Sequence, residues 1–142
     1  LRKNDISTIS TYLNGFWEDD EAKIRQRAKA VDEIDPDIVM IQVLNPIPGS
    51  PIYKAAVKNN IIEVDNLSLY DLEHSVMPTK HLTRQQLGEL TGWAFQSFYS
   101  KPGRIERILN GYTSPYVRMK FESFKSNAAK YEKGAAEGTV AI

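Results

Sequence analysis

Hydrophobic and polar residues alternate between two periods along this chain, and the switches mark its elements. Residues 7–13 (Ser-Thr-Ile-Ser-Thr-Tyr-Leu) are rich in β-branched types and stop at Asn14-Gly15, which predicts a strand closed by a turn. Glu18, Asp19, Asp20 and Glu21 follow, ahead of Lys23, Arg25, Arg27 and Lys29. That order suits the N-terminus of a helix, where the macrodipole favours negative charge. Ile24, Ala28 and Val31 recur at steps of four and three and give this helix one apolar stripe; Asp35 should end it, because a residue before proline is disfavoured in the α region. Residues 37–44 are apolar on both alternating faces apart from Gln42. Such a run predicts a strand covered on both sides by helices, as in parallel sheets.

Strand, helix and strand within about forty residues compose a βαβ unit with parallel strands. Beyond it, Ser50-Pro51 reads as an N-cap followed by proline at the first helical position, and a short helix through Ile52, Tyr53, Ala56 and Val57 should close at Asn59-Asn60. Residues 64–78 are polar and irregular. Thr83-x-x-Gln86 is a capping box before Leu87, Leu90, Thr91, Ala94 and Phe98, so residues 83–100 are predicted helical, with Leu90 central to the packed stripe. A shorter helix carries Ile105, Ile108 and Leu109 up to Asn110-Gly111. A last amphipathic segment is expected over residues 113–133, and the small-residue tail 134–142 reads as disordered.

Composition narrows the chemistry. The chain has 142 residues, 42% of them hydrophobic and 25% charged, which is the profile of one globular domain with a core of its own. It has no cysteine, which excludes disulfide scaffolds, thiolate zinc sites, cysteine nucleophiles and any iron–sulfur cluster held by its own thiolates. The longest apolar stretch is far short of the roughly 20 residues that cross a bilayer, and a cytoplasmic setting is the expectation. Eighteen basic residues balance eighteen acidic ones, but residues 101–142 carry 8 basic against 4 acidic, a mild bias that reads first as a solvated helix face. The chain opens at Leu1-Arg2-Lys3-Asn4, which reads as the end of a helix, so a piece of a longer polypeptide is expected.

Ligands of parallel α/β sheets gather at the carboxyl ends of the strands, which singles out the loops after Leu13 and after Leu44. The first, Asn14-Gly15-Phe16-Trp17-Glu18, offers a glycine for close backbone approach, two aromatic faces and a carboxylate; its bland reading is a tight turn with buried aromatics. The second, Asn45-Pro46-Ile47-Pro48-Gly49-Ser50, is stiffened by proline. The two histidines, His74 and His81, are seven residues apart and fit no common metal spacing, so they read as structural or surface histidines. Tyr70, Asp71 and Glu73 beside His74 could together hold a polar substrate group.

The segment Thr11-Tyr12-Leu13-Asn14-Gly15-Phe16-Trp17-Glu18 resembles the G-x-I-x-G-x-x-E motif at the end of the fifth barrel strand in radical S-adenosylmethionine enzymes. Leu13, Gly15 and Glu18 match in kind, and Thr11 stands where the motif has its first glycine. Asp35-Pro36-Asp37, and then Pro46-Ile47-Pro48-Gly49-Ser50-Pro51-Ile52-Tyr53, look like the D-P-D and P-x-P-G-S/T-x-L/I/F-Y patterns of radical enzymes that also carry a cobalamin-binding domain. The likeness continues through His74-Ser75-Val76-Met77-Pro78-Thr79, Leu82-Thr83, Phe98-Tyr99, Pro102 and Arg104-Ile105, over about residues 5–110, and is greatest to the anaerobic magnesium-protoporphyrin IX monomethyl ester oxidative cyclases.

This resemblance implies an α/β fold: residues 1–64 as the C-terminal part of a radical S-adenosylmethionine partial TIM barrel, a βαβ unit, and residues 65–112 as an α-helical extension. It implies that Leu13, Asn14, Gly15, Val43, Leu44 and Asn45 line the adenine side of the S-adenosylmethionine site and that Glu18 orders the loop. Tyr70, His74 and Met77 become the substrate candidates. The implied parent uses S-adenosylmethionine, a 4Fe–4S cluster and cobalamin, whose binding regions would lie N-terminal in the same polypeptide; the piece alone should bind none of them and catalyse nothing. The implied chemistry is oxidative cyclisation of a small molecule, a tetrapyrrole being one candidate, with cobalamin-dependent methyl transfer as the rival. A third reading, from a different class, is a free-standing module whose basic terminal helix binds a protein or polyanion. The coding frame upstream of Leu1 separates them, through a cysteine triplet in one case and a start codon in the other. Open strand edges also make self-association an expectation.

Overall fold

A computed structural model describes residues 4, 6–111 and 119. They fall into two units, Ile9–Phe98 and, separately, Leu1–Thr8 with Tyr99–Ile142. The segment expected to be helical at 113–133, apart from Met119, and the tail 134–142 lie outside the described residues.

The first unit begins with strand β1 (Ile9–Asn14), helix α1 (Glu21–Ile34) and strand β2 (Ile38–Val43). The strands pair in parallel, with Ile9 opposite Ile38 and Asn14 opposite Val43, so the βαβ unit expected from the periodicity is present. Asp20 caps α1 by accepting a bond from the Lys23 amide at 2.8 Å. Asp35 closes it in the left-handed region at φ 49°, which lets the chain turn into Pro36 without the α conformation that the proline ring would oppose. Ile24, Ala28 and Val31 are buried, as their spacing requires.

The expectation that β2 is covered on both faces needs correction. The register places Ser10, Tyr12 and Asn14 on the same side as Val39, Ile41 and Val43, and this side is packed: Asn14, Val39 and Val43 are buried. On the other side Ile9 is 60% exposed and Met40 47% exposed, with Thr11 open between them. Apolar character on two faces shows what a strand can pack against, and among the described residues only one face has found its cover. That cover centres on Ile24, Val43, Leu82 and Leu87, with Leu90 packed partly buried at its margin.

On the packed side the Tyr12 hydroxyl is buried and, among the described residues, has no hydrogen-bond partner. Burial pushes its phenol up to about 12; Arg27 opposes the shift and Asp32 adds to it. Tyr12→Phe should therefore leave stability unchanged or raise it by about 1 kcal/mol, because the atom removed makes no bond to repay its desolvation. Urea unfolding checks this, and a clear loss of stability would mean that ordered water satisfies the hydroxyl.

Helix α2 (Pro51–Lys58) starts from the Ser50 cap, whose hydroxyl accepts from the Tyr53 amide at 3.1 Å. It ends where the asparagine pair anticipated: Asn60 is left-handed at φ 53°, its amide bonds the Val57 carbonyl at 3.0 Å, and the Ile61 amide bonds the Ala56 carbonyl at 3.1 Å, the paired closure of a Schellman motif. The irregular stretch that follows contains a short 3-10 turn, Leu67–Leu69. Helix α3 (Arg84–Tyr99) opens on the expected capping box: the Thr83 amide donates to Gln86 Oε1 at 2.9 Å and the Gln86 amide to Thr83 Oγ1 at 3.2 Å.

In the second unit, helix α4 (Arg104–Gly111) follows a turn at Gly103, φ 80°, and the Arg107 amide donates to the Gly103 carbonyl at 3.0 Å. Arg104, Ile105 and Ile108 are its buried residues. Among the described residues no helix is long and apolar enough to cross a membrane.

Candidate functional site

Both loops singled out by the sequence sit at the carboxyl end of the parallel pair, and they are joined. The Leu44 amide donates to the Asn14 carbonyl at 2.8 Å, continuing the strand ladder one step past β2. Gly15 takes φ 97°, where an L side chain is strained, and a Cβ there would lie 3.1 Å from Leu87 Cδ2, 3.5 Å from Val43 Cγ1 and 3.6 Å from the Leu44 nitrogen. Leu13, Asn14 and Gly15 are thus brought together with Val43, Leu44 and Asn45.

The carboxylate that orders the first loop is Asp19, where the motif reading expected Glu18. Asp19 Oδ2 accepts from the Gly15 amide at 2.9 Å and the Phe16 amide at 3.1 Å. Its two oxygens also meet the Arg27 guanidinium, one at 2.8 Å and the other in a short ion pair. Arg27 donates as well to Asn14 Oδ1 at 3.1 Å, and Asn14 Nδ2 donates to Thr91 Oγ1 at 3.3 Å. Burial alone would raise the Asp19 pKa, but the Arg27 bond and charge and the two loop amides outweigh it and hold the carboxyl below its ordinary 3.8.

Glu18 itself is exposed and turns to Lys80, 3.2 Å away, and His81, 3.8 Å away. Position decides between the two acids: one step earlier on the loop, the side chain points to solvent. The loop is fastened from below by residues 79–82. Thr79 Oγ1 donates to the Asp19 carbonyl at 2.7 Å and accepts from the His81 and Leu82 amides, while the Lys80 amide donates to the Trp17 carbonyl at 2.9 Å. The bland reading of this loop, with its aromatics buried as core, does not hold. Phe16 and Trp17 are both exposed, and the Arg27 guanidinium lies 5.4 Å from the Phe16 ring centre.

After β2, Asn45 clips the end of the strand to the 71–74 turn. Asn45 Oδ1 accepts from the Leu72 amide at 2.6 Å, Asn45 Nδ2 donates to the His74 carbonyl at 2.9 Å, and the Val43 amide donates to the Leu72 carbonyl at 2.7 Å. Leu72 is held at φ 67°, a conformation bulky residues avoid, so the clip stores local strain beside the rim. Asp71 accepts from the Glu73 and His74 amides, both at 2.9 Å, and meets His74 Nδ1 at 2.7 Å. These contacts, led by the His74 amide, lower its pKa to about 2.

The three substrate candidates do not converge. His74 is exposed on the turn tied to Asn45, Met77 is buried in the core, and the Tyr70 hydroxyl donates to the Val64 carbonyl at 2.9 Å in a separate groove. Sequence reasoning missed Asp19, Arg27, Thr79 and Thr91. The available signal was an Asp four residues after an Asn-Gly turn, poised to accept that turn's amides. Among the described residues no group of three or more His, Asp or Glu is placed to hold a metal ion. The rim thus brings together two joined loops, an exposed aromatic pair and a guanidinium fixed by Asp19.

No protein-family model matches the chain. Over 101 residues, 71% of its length, it is 26% identical to an uncharacterized methyltransferase of Pyrococcus horikoshii. The chain spans 22% of that protein's length.

Proposed function

We propose that this chain is a segment of a radical S-adenosylmethionine methyltransferase, in which the rim at the carboxyl ends of β1 and β2 holds the adenosine end of S-adenosylmethionine. The observation that carries this reading is the fusion of the two motif-bearing loops into one rim through Leu44 and Asn14, with Phe16 and Trp17 open beside it. Similarity to a methyltransferase supports it. In this reading β1 and β2 are the last two strands of a partial barrel, and their open face, with Ile9, Thr11 and Met40, is the inward side.

The residues fit the group. A purine stacks on an exposed aromatic ring, and Gly15, where a side chain would strike Leu87, lets the loop backbone lie close on the core with Phe16 and Trp17 open beside it. S-adenosylmethionine supplies the transferable methyl group or, when reductively cleaved, a radical. This chain's own part is to orient it; without cysteine it holds no cluster, so the 4Fe–4S and cobalamin regions belong to the rest of the polypeptide, in a cytoplasmic enzyme. Oxidative cyclisation remains the second reading, favoured by the run from His74 to Thr79, and His74, exposed on the turn that Asn45 ties to the end of β2, is then the candidate for substrate.

Calorimetry on the intact polypeptide, reconstituted without oxygen, tests the rim. Trp17→Ala and Phe16→Ala remove exposed rings, so folding is preserved. One of them should weaken S-adenosylmethionine binding at least fivefold, as a base–ring stack is worth about 1–3 kcal/mol. The 142-residue chain alone should show no specific micromolar binding. Unchanged affinity in both variants would overturn the reading, and product analysis separates methylated from oxidised products.

A further inference from the structure

Away from the rim, α2 and the segment that follows it enclose a groove of about 300 Å³, lined by Tyr53, Ala56, Val57, Ile62, Asp65 and Tyr70 among others. Its walls are fixed locally. The Schellman closure at Asn60 turns the chain back under α2, and Asn66 caps the 3-10 turn by accepting from the Ser68 amide at 3.1 Å. The Tyr70 ring is pinned by its hydroxyl's bond to the Val64 carbonyl. Ala56 is buried at the floor, while Val57 and Leu67 leave apolar surface open to water.

Of the polar residues that line this floor, Asn60 offers a neutral carboxamide, and the others are one carboxylate and two phenols. Asp65 is the sole lining residue with a formal charge, and among the described residues no cation lies within ion-pair distance of it. Tyr53 adds a hydroxyl with no hydrogen-bond partner among the described residues, and Tyr70 adds a hydroxyl whose proton is already committed, which leaves it an acceptor. Lys54 and Lys58, on the same helix, do not line the groove. Burial, together with the nearby Tyr53 and Asp65, raises the Tyr70 phenol above its ordinary 10.0, so it remains neutral. An anion would meet the Asp65 charge with only the neutral Asn60 amide and Tyr53 hydroxyl to offset it, and a neutral apolar molecule would leave that carboxylate without a partner in the groove. A cation on an apolar stem suits the carboxylate, both phenols and the apolar floor at once: charge to carboxylate, ammonium hydrogens to phenol oxygens and ring faces, stem to Ala56, Val57 and Ile62.

We propose that this groove binds an organic ammonium carried on a short aliphatic stem, the charged end held by Asp65 between Tyr53 and Tyr70. The size agrees, because about 300 Å³ is at the small end of ligand pockets. The stem is that of a free alkylamine or of a lysine side chain offered by another protein. The inference stands apart from the S-adenosylmethionine reading, since it uses none of the residues of the rim.

The test is a two-dimensional NMR titration of the 142-residue chain with n-pentylammonium, n-pentanol and pentanoate. Expected are saturable shifts at the amides of Tyr53, Ala56, Asp65 and Tyr70 with pentylammonium at millimolar concentration, and none that saturate with the other two. Asp65→Asn, at an exposed position that leaves the fold intact, should weaken pentylammonium at least tenfold, and Tyr53→Leu several-fold. Nα-acetyl-lysine methylamide binding as well as pentylammonium assigns the groove to a lysyl side chain; weaker binding assigns it to a free amine. No saturable shift, equal binding of pentanol, or full retention in Asp65→Asn would each overturn the proposal.

Discussion

Asp19→Ala is expected to cost about 3–5 kcal/mol, a large part of the roughly 5–15 kcal/mol that holds a domain together. The Asp19 side chain is only 3% exposed and answers three demands at once: the Arg27 guanidinium, the Gly15 amide and the Phe16 amide. Removing it leaves the partly buried Arg27 cation without its carboxylate and two loop donors without acceptors. Asp19→Asn should lose less, since it keeps one acceptor for the amides. The exposed pair of Arg25 with Glu21 is the contrast. Even with the Arg25 guanidinium 4.2 Å from the Trp93 ring centre, Arg25→Ala should cost no more than about 1 kcal/mol. The same carboxylate sets an acid limit. Its folded pKa lies below 3.8, so the unfolded chain binds the proton more readily; the stabilisation is whole above the unfolded value and is lost as pH falls through the folded one. Denaturant midpoints measured from neutral pH down to about pH 3 should fall for the parent and stay flatter for Asp19→Ala.

Leu87→Ala is the second large effect, about 2–5 kcal/mol in thermal or urea melts. Leu87 is 1% exposed and sits in the cluster with Ile24, Val43 and Leu82, and its Cδ2 is the atom that a side chain at position 15 would strike. A cavity there would loosen the core and the floor of the first loop together. Leu90→Ala should cost distinctly less, because Leu90 packs only at the margin of that cluster. If the two variants melt alike, the packed stripe of α3 is broader than this cluster.

The ranking of Leu87 over Leu90 shows where the sequence stops informing. Periodicity locates the α3 stripe, and Thr83 with Gln86 locates its start, because both are properties of neighbours along the chain. Which leucine lies deepest depends on where β2 and α1 cross beneath, and no local pattern encodes that. The helix ends at Asp35 and Asn60 were legible for the same local reason, since Asp and Asn tolerate positive φ and proline forbids a continued helix. Leu72 was not, because nothing about a leucine announces φ 67°; tertiary bonds from Asn45 and Val43 impose it. At the rim the glycine and the two loops could be read directly. The choice of Asp19 over Glu18 could not, as four adjacent acids look alike until the turn at Gly15 aims them.

The lock on Asn14-Gly15 also bears on how this protein ages. An Asn-Gly pair is the dipeptide most prone to spontaneous deamidation, in which the glycine nitrogen attacks the asparagine side-chain carbonyl, ammonia leaves, and water opens the resulting succinimide to aspartate or isoaspartate. Here the nitrogen is engaged by Asp19, and the side chain is held at one end by Arg27 and at the other by Thr91. The ring cannot close while those bonds last. Asn110-Gly111, exposed in the last turn of α4, has no side-chain bond on its asparagine among the described residues, and only the helix itself holds its glycine nitrogen. During storage, isoaspartate should therefore accumulate at position 110 first, and at position 14 only in molecules whose first loop has opened. Peptide mapping of aged samples by mass spectrometry would then read the opening frequency of the rim as a chemical record.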